Sequence, residues 1–256
     1  MVLPAWFDDI LRCPETGKRL VRRDNVYVRE DGKSYSFRDG ILSIVYPEAL
    51  SGSDDEWNRK YEWLAPLYDY SERFFGRLIA GLDMMEGRKE IVTHLPLIPG
   101  VRLLEVSPGP GVFQGLLRDK IDKDGQFVSL DLSPNMLRQC NREKDTNAIL
   151  VHANGQYLPF AENSFDALFH FGGVNLFNEP ERAIHEFVRV VKNGGIVSWG
   201  DEGFSMDYKD GLRKRVLTRM NPGYLKSRPA IPDSLTDVRT FTVYGGLGYL
   251  VVGKKA

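Results

Sequence analysis

From Gly100 onward, short apolar runs alternate with amphipathic stretches, and this alternation restricts the fold more than any other feature of the chain. VRLLEV, QFVSLDLS, AILVHAN, FDALFHFGG and GIVSWGDE each read as a strand. Between them, VFQGLLRDKI puts Phe113, Leu116, Leu117 and Ile121 on one helical face, and PNMLRQCNRE carries Pro134 in its first turn. PERAIHEFVRVVK turns Ala183, Ile184, Phe187, Val188 and Val191 inward, with Gly194-Gly195 as the expected stop. Strands that alternate with helices predict an α/β fold, an open parallel sheet with helices on both faces. The terminal VRTFTVYGGLGYLVVGKK reads as a hairpin that adds an antiparallel strand at the edge.

In such a sheet, ligands bind beyond the carboxyl ends of the strands, so the first strand-to-helix turn is the place to look. Here it reads LLEVSPGPGVFQG, Leu103 to Gly115. A dinucleotide fingerprint, G-x-G-x-x-G, would need a third glycine at Gln114. A pyrophosphate is held by backbone N–H groups at a helix N-terminus, and Pro108 and Pro110 have none. Glu105, at the end of the strand, adds a negative charge that opposes a phosphate. A cationic, phosphate-free ligand suits this turn. S-adenosylmethionine (SAM) meets that description, with a sulfonium and an ammonium group. Gly109 and Gly111 would let the backbone pass close to it, and Asp131, ending the second strand, would accept hydrogen bonds from its ribose hydroxyls. Asp131 alone does not discriminate, because NAD sites place an acid there too.

These motifs resemble those of the class I SAM-dependent methyltransferases, most closely the ubiquinone/menaquinone-biosynthesis type. LLEVSPGPG is similar to their first motif, LDLSPNML to the second, and HANGQYLPFAENSFDALF to the third region. The resemblance covers residues 60–256 and implies a Rossmann-like, seven-stranded, mostly parallel sheet. It implies SAM as cofactor, S-adenosylhomocysteine as product, and contacts from Glu105, Ser107, Gly109, Gly111, Asp131, Leu132, Met136, Asn154, Gly155 and His170. Two positions depart from the pattern. Ser107 replaces a glycine, a modest change where φ is negative. Asn154 stands where an aspartate is common, and its side-chain oxygen would still accept from the adenine amino group.

Residues 1–46 differ from the rest. VYVREDGKSYSFRDGILSIV predicts two or three short strands with turns at Asp31-Gly32 and Asp39-Gly40. With CPETGKRL before it, this module resembles the zinc ribbon fused to some methyltransferases, a fold that also serves as a free activator subunit of others. Of the four ligand positions only Cys13 holds a cysteine; Thr16, Val28 and Asp31 occupy the others, so no metal is expected. Residues 47–58 read as a polar joint, and 59–256 as the main domain.

Methyl transfer needs alignment of nucleophile, methyl carbon and sulfur, and a base only where the acceptor holds its proton tightly. His170, Asp201 and Glu202 are the candidate bases. Tyr68, Tyr70 and Asn175 are candidates for the acceptor pocket, which residues 57–80 and a cap over 204–235 are expected to close. The cap contains KDGLRKRVLTRMNPGYLKSR, a basic stretch that reads as a solvated helix or as a face for an anionic substrate or an RNA backbone. The expected substrate is a small molecule and the expected assembly a monomer or homodimer. The net charge of -1 argues against nucleic acid, and two cysteines in unlike contexts fit a cytoplasmic chain. An RNA base methyltransferase and a SAM-binding protein without methyl transfer remain as alternatives.

Overall fold

The computed structural model describes residues 3–64, 83–143, 147–205, 207–209, 211–220 and 222–256. The alternating stretches form the expected elements. In chain order these are β5 (Arg102–Val106), β6 (Gln126–Asp131), β7 (Ile149–His152), β8 (Phe165–Phe171) and β9 (Val191–Glu202). The helices among them are α4 (Gln114–Ile121), α5 (Pro134–Glu143) and α6 (Pro180–Val190). β10 (Leu235–Val243) and β11 (Gly248–Lys255) form the hairpin, with β11 antiparallel to β9.

The sheet is larger than the seven strands expected. Its order is β1-β2-β3-β4-β7-β6-β5-β8-β9-β11-β10, eleven strands among the described residues. The four extra ones come from the chain start: β1 (Val21–Arg23), β2 (Val26–Val28), β3 (Ser34–Arg38) and β4 (Ile41–Ser43). They meander antiparallel, and β4 then runs parallel to β7, pairing Leu42 with Val151 and Ser43 with His152. What would have been an open edge is thereby covered. A short helix, α1 (Ala5–Ile10), precedes them, and beyond it Leu11 bridges to Phe160. Phe7, Leu11 and Tyr27 share one core with Leu104, Val106, Phe160 and Phe187, so the chain start packs as part of the larger body.

The period of two along each strand sorts the faces. Leu104 and Val106 join the core beneath α6, whereas Leu103, Phe127 and Phe169 face α3 (Met84–Thr93) and α4. β9 begins at Val191, earlier than the glycines suggested. Its pairing with β8 jumps from Phe165–Val191 to Ala167–Ile196, and Gly194, at φ +76, absorbs the excursion. The stretch read as a joint is partly helical: α2 (Gly52–Leu64) starts inside it.

Candidate functional site

The turn after β5 alternates left-handed residues with prolines. Ser107 (φ +55), Gly109 (φ +55) and Gly111 (φ +84) flank Pro108 and Pro110. Ser107 therefore does not keep the negative φ under which its replacement of glycine is free of cost. A Cβ on Gly111 would lie 3.1 Å from Cys140 Sγ, which leaves no room for a side chain. A Cβ on Gly109 would meet nothing within 4 Å, so that residue looks onto open space.

Asp131, at the end of the neighbouring β6, reaches across to this turn. Its Oδ2 accepts from the Gly109 N–H at 3.1 Å, and its Oδ1 from the Ser133 N–H at 2.8 Å. Burial pushes the carboxyl up to about 6, although the backbone donors at Ser133, Gly109 and Leu132 pull the other way. Ser133 caps α5 by accepting from the Met136 N–H, which draws Met136 into the core. The Leu132 carbonyl accepts from His152 Nε2 at 3.1 Å. Glu105 is buried on the α4 side, where it accepts from Ser129 Oγ at 3.0 Å; Ser129 Oγ in turn accepts from Gln114 Nε2 at 2.7 Å. Its charge thus lies beneath the turn rather than at its lip.

Asn154 is buried in the turn after β7. Its side-chain oxygen accepts from the backbone and side-chain N–H groups of Gln156, and its amide donates to Asp54 Oδ2 at 3.1 Å. Both of these Gln156 bonds lie within its own turn. Gly155 beside it is needed for space, since a Cβ there would lie 3.0 Å from Val106.

Asp54 is the residue that sequence reasoning missed. It is buried near the start of α2 and accepts from Asn154, from Gln156 Nε2 at 2.7 Å and from the Asn178 N–H at 3.1 Å. Asn178 repays the contact by capping α2, accepting from the Ser53 N–H at 2.8 Å. Asp54 and Asp55 fall in the first turn of α2, where acids are favoured.

The candidate bases are placed differently from what their positions suggested. His170 is fully buried between Phe177 and Phe187. Its Nδ1 donates to the Val106 carbonyl at 3.0 Å, and burial pushes its pKa down to about 4. It ties β8 to β5 from within the core, and its buried Nε2 has no hydrogen-bond partner among the described residues. Asp201 is also buried and is held on both oxygens: it accepts from the N–H groups of Gly173 at 3.0 Å, Asn175 at 2.8 Å and Glu202 at 2.8 Å. It is an anchor for the turn after β8. Glu202 is half-buried at the end of β9. Asn175 lies buried in the single helical turn Val174–Leu176, and its carbonyl accepts from Lys226 Nζ of the cap. Tyr68 and Tyr70 lie outside the described residues.

The cap holds α7 (Leu212–Met220) and a helical turn at Pro222–Leu225. Phe204 stacks on Tyr224 with centroids 4.7 Å apart and packs on Tyr208 at 4.9 Å. In the chain-start module, Arg29 donates to Glu15 and Asp31 and lies 3.5 Å from Cys13 Sγ. Among the described residues, no group of three or more His, Cys, Asp or Glu is placed to hold a metal ion. No helix among them is long and apolar enough to cross a membrane.

Residues 104–198 match the family described as methyltransferase domain. The chain is 30% identical over 147 residues to the demethylmenaquinone methyltransferase of Renibacterium salmoninarum, covering 57% of this chain and 59% of that protein. It is 30% identical over 149 residues to that of Listeria monocytogenes, covering 56% and 60%. The chain thus spans about three fifths of the length of these relatives. Among solved structures, a SAM-dependent methyltransferase from Aquifex aeolicus superposes with a TM-score of 0.52 at 16% identity, covering 78% of this chain and 98% of that one. A chain of the complex between the Haloferax volcanii Trm112 methyltransferase activator and a methyltransferase superposes at 0.59 and 15% identity, covering 77% and 97%. At these identities the superpositions show a shared fold.

Proposed function

We propose that this chain, whose residues 104–198 match a methyltransferase domain, is a class I SAM-dependent enzyme that transfers a methyl group from SAM to a small-molecule acceptor. The observation that carries this reading is the lip formed by Gly109 and Asp131. An acid at the end of β6 is held 3.1 Å from the N–H of a glycine that looks onto open space. Two prolines remove the donors a pyrophosphate would use. When bound, SAM supplies an electrophilic methyl group on a sulfonium whose departure leaves a neutral thioether. Asp131 accepts from the ribose hydroxyls. Gly109 and Gly111 let the backbone pass along the methionyl part, and buried Glu105 contributes negative charge beneath it. The Asn154–Gly155 turn, braced by Asp54, forms the adenine wall through its backbone.

With His170 and Asp201 engaged elsewhere, the chain works by holding the acceptor in line rather than by strong base catalysis. The stacked Phe204, Tyr208 and Tyr224 give the cap an apolar, aromatic interior suited to a ring-bearing acceptor. The relatives' names make a quinol-type ring the first acceptor class to test. In this reading residues 1–46 are a ribbon that has lost its metal. Arg29, bridging Glu15, Asp31 and Cys13, supplies the cross-link a metal would give, and the enzyme works in the cytoplasm.

Calorimetry with SAM, S-adenosylhomocysteine and NAD tests the donor. SAM and its demethylated product should bind and NAD should not; a preference for NAD would sink the assignment. Incubation with methyl-labelled SAM and a panel of quinols, phenols and amines should then label a small molecule. Tight SAM binding with no acceptor labelled would favour a SAM-binding protein without transfer.

A further inference from the structure

Large apolar side chains that stand out of the surface are few in the described residues, and most of them belong to one stretch of the chain. Of seven, four lie between 212 and 231: Leu212, Val216, Leu225 and Ile231. Leu212 is 78% exposed and Leu225 66%. Buried Leu217 fixes which side of α7 faces the protein. At about 100° per residue, Arg215 and Arg219 then point furthest from the protein, with Leu212 and Val216 beside them on one flank. The outer face of α7 therefore carries two guanidinium groups with an apolar edge.

The surrounding charge is as one-sided. From Lys209 to Arg228 the sequence holds seven Lys or Arg and one acid, Asp210, in a chain whose net charge is -1. Arg215 and Arg219 are exposed and make no ion pair among the described residues. A helix that merely faces water has no use for leucine and valine on its outer side. A single-stranded nucleic acid is gripped by cations and aromatic rings that stack on bases, and aliphatic side chains do not stack. A protein interface concentrates aromatics and sheds charge at its centre, whereas here cations and aliphatics alternate. Aliphatic side chains that can enter an acyl boundary, ringed by cations that meet headgroups, fit an anionic lipid surface.

We propose that the cap docks reversibly on an anionic bilayer surface through Leu212, Arg215, Val216, Arg219, Leu225 and Ile231. The cap joins the carboxyl end of β9, and Lys226 bonds it to the Asn175 turn beyond β8. Docking there would turn the carboxyl edge of the sheet toward the lipid, where an apolar molecule can leave the bilayer for the protein. The proposal stands on the surface alone and does not require that methyl transfer be correct.

Co-sedimentation of the full chain with vesicles tests it. One set is phosphatidylcholine alone; the other contains roughly one third phosphatidylglycerol. Binding to the anionic set should be at least about tenfold tighter and should weaken at high salt. Arg215→Glu with Arg219→Glu should cost roughly thirtyfold or more in vesicle affinity. Leu212→Ser with Leu225→Ser should cost about tenfold at unchanged charge. All four positions are exposed, so melting temperature and SAM affinity should stay as in the parent chain. Equal binding to both vesicle sets would overturn the proposal. So would variants that sediment like the parent, or vesicles left unbound while a single-stranded RNA oligonucleotide binds through the same arginines.

Discussion

The two central turns of the sheet are built alike. After β5 the chain passes through left-handed residues at Ser107, Gly109 and Gly111; after β8 it does so at Gly172 and Gly173. Each turn is held by a buried aspartate from the adjacent strand, Asp131 from β6 through the Gly109 N–H and Asp201 from β9 through the Gly173 N–H. They differ in what remains available. Asp201 has donors on both oxygens, two N–H groups on Oδ1 and one on Oδ2, all from its own turn and strand end. Asp131 too has donors on both oxygens, from Gly109 and Ser133, with Leu132 a further backbone donor, but it stands beside a glycine facing open space. The same device thus serves as a closed anchor on one side and as a lip with capacity left for a ligand on the other.

The largest expected effect comes from cutting the closed anchor. Asp201→Ala leaves three buried N–H groups without their acceptor, and each costs about 1 kcal/mol or more. A loss of roughly 3 kcal/mol or more, or about 10 °C in melting temperature, is expected. Asp131→Ala should destabilise less and instead weaken SAM binding by at least about tenfold, the scale of one lost charged hydrogen-bond pair. Thermal melts and calorimetry on both variants separate the roles. If Asp201→Ala melted like the parent chain but lost SAM, the assignments of the two acids would be reversed.

A medium effect follows from the titration of Asp131. Its carboxyl is pushed up from the ordinary 3.8 to about 6, so the folded state disfavours the ionised form. The stability tied to this group is therefore fully present below pH about 4 and is lost as pH rises through about 6. A shift of this size corresponds to about 3 kcal/mol. Asp131→Asn cannot ionise, so its stability relative to the parent should rise by up to that amount between those pH values. SAM affinity should move with the opposite sign. The ribose hydroxyls need the carboxylate as acceptor, so binding to the parent chain should weaken as pH falls below about 6. Urea melts and calorimetry along one pH series check both signs. A parent and variant with parallel stability curves would show that Asp131 titrates normally.

The lip was largely legible in the sequence and the anchor was not, for a physical reason. Glycines, prolines and strand-end acids announce a turn through their own backbone chemistry, and Gly109, Gly111 and Asp131 did so. Asp201 looks like any strand-end acid until its donors are known, and these lie 26 and 28 residues earlier in the chain. Asp54 is harder still, because its partners Asn154 and Gln156 are 100 and 102 residues away. His170 was placed correctly at the ligand end of β8. The alternation of faces, however, turned its ring under α6 between two phenylalanines. The eleven-stranded sheet was missed because strands β1 to β4 carry their own turn signals, which say nothing about which edge they will join. The parallel pairing of β4 with β7 is a tertiary event.

The smallest expected effect isolates one backbone angle. The turn after β8 uses glycine at both of its left-handed positions, whereas the turn after β5 puts Ser107 at φ +55. A non-glycine residue there pays roughly 1–2 kcal/mol of steric cost. Replacing it by glycine removes that cost but adds about 0.5–1 kcal/mol of chain entropy to be lost on folding. Ser107→Gly should therefore stabilise the protein by a net of about 0.5–1 kcal/mol. Chemical denaturation with an unchanged slope would read this as a higher midpoint. SAM affinity should stay the same if the serine is only a strained spacer. A variant that is more stable but binds SAM several-fold more weakly would mean that the hydroxyl itself faces the ligand and that the strain is kept for that contact. A variant no more stable than the parent would mean that Ser107 sits without strain, so that the lip and the anchor are equally relaxed.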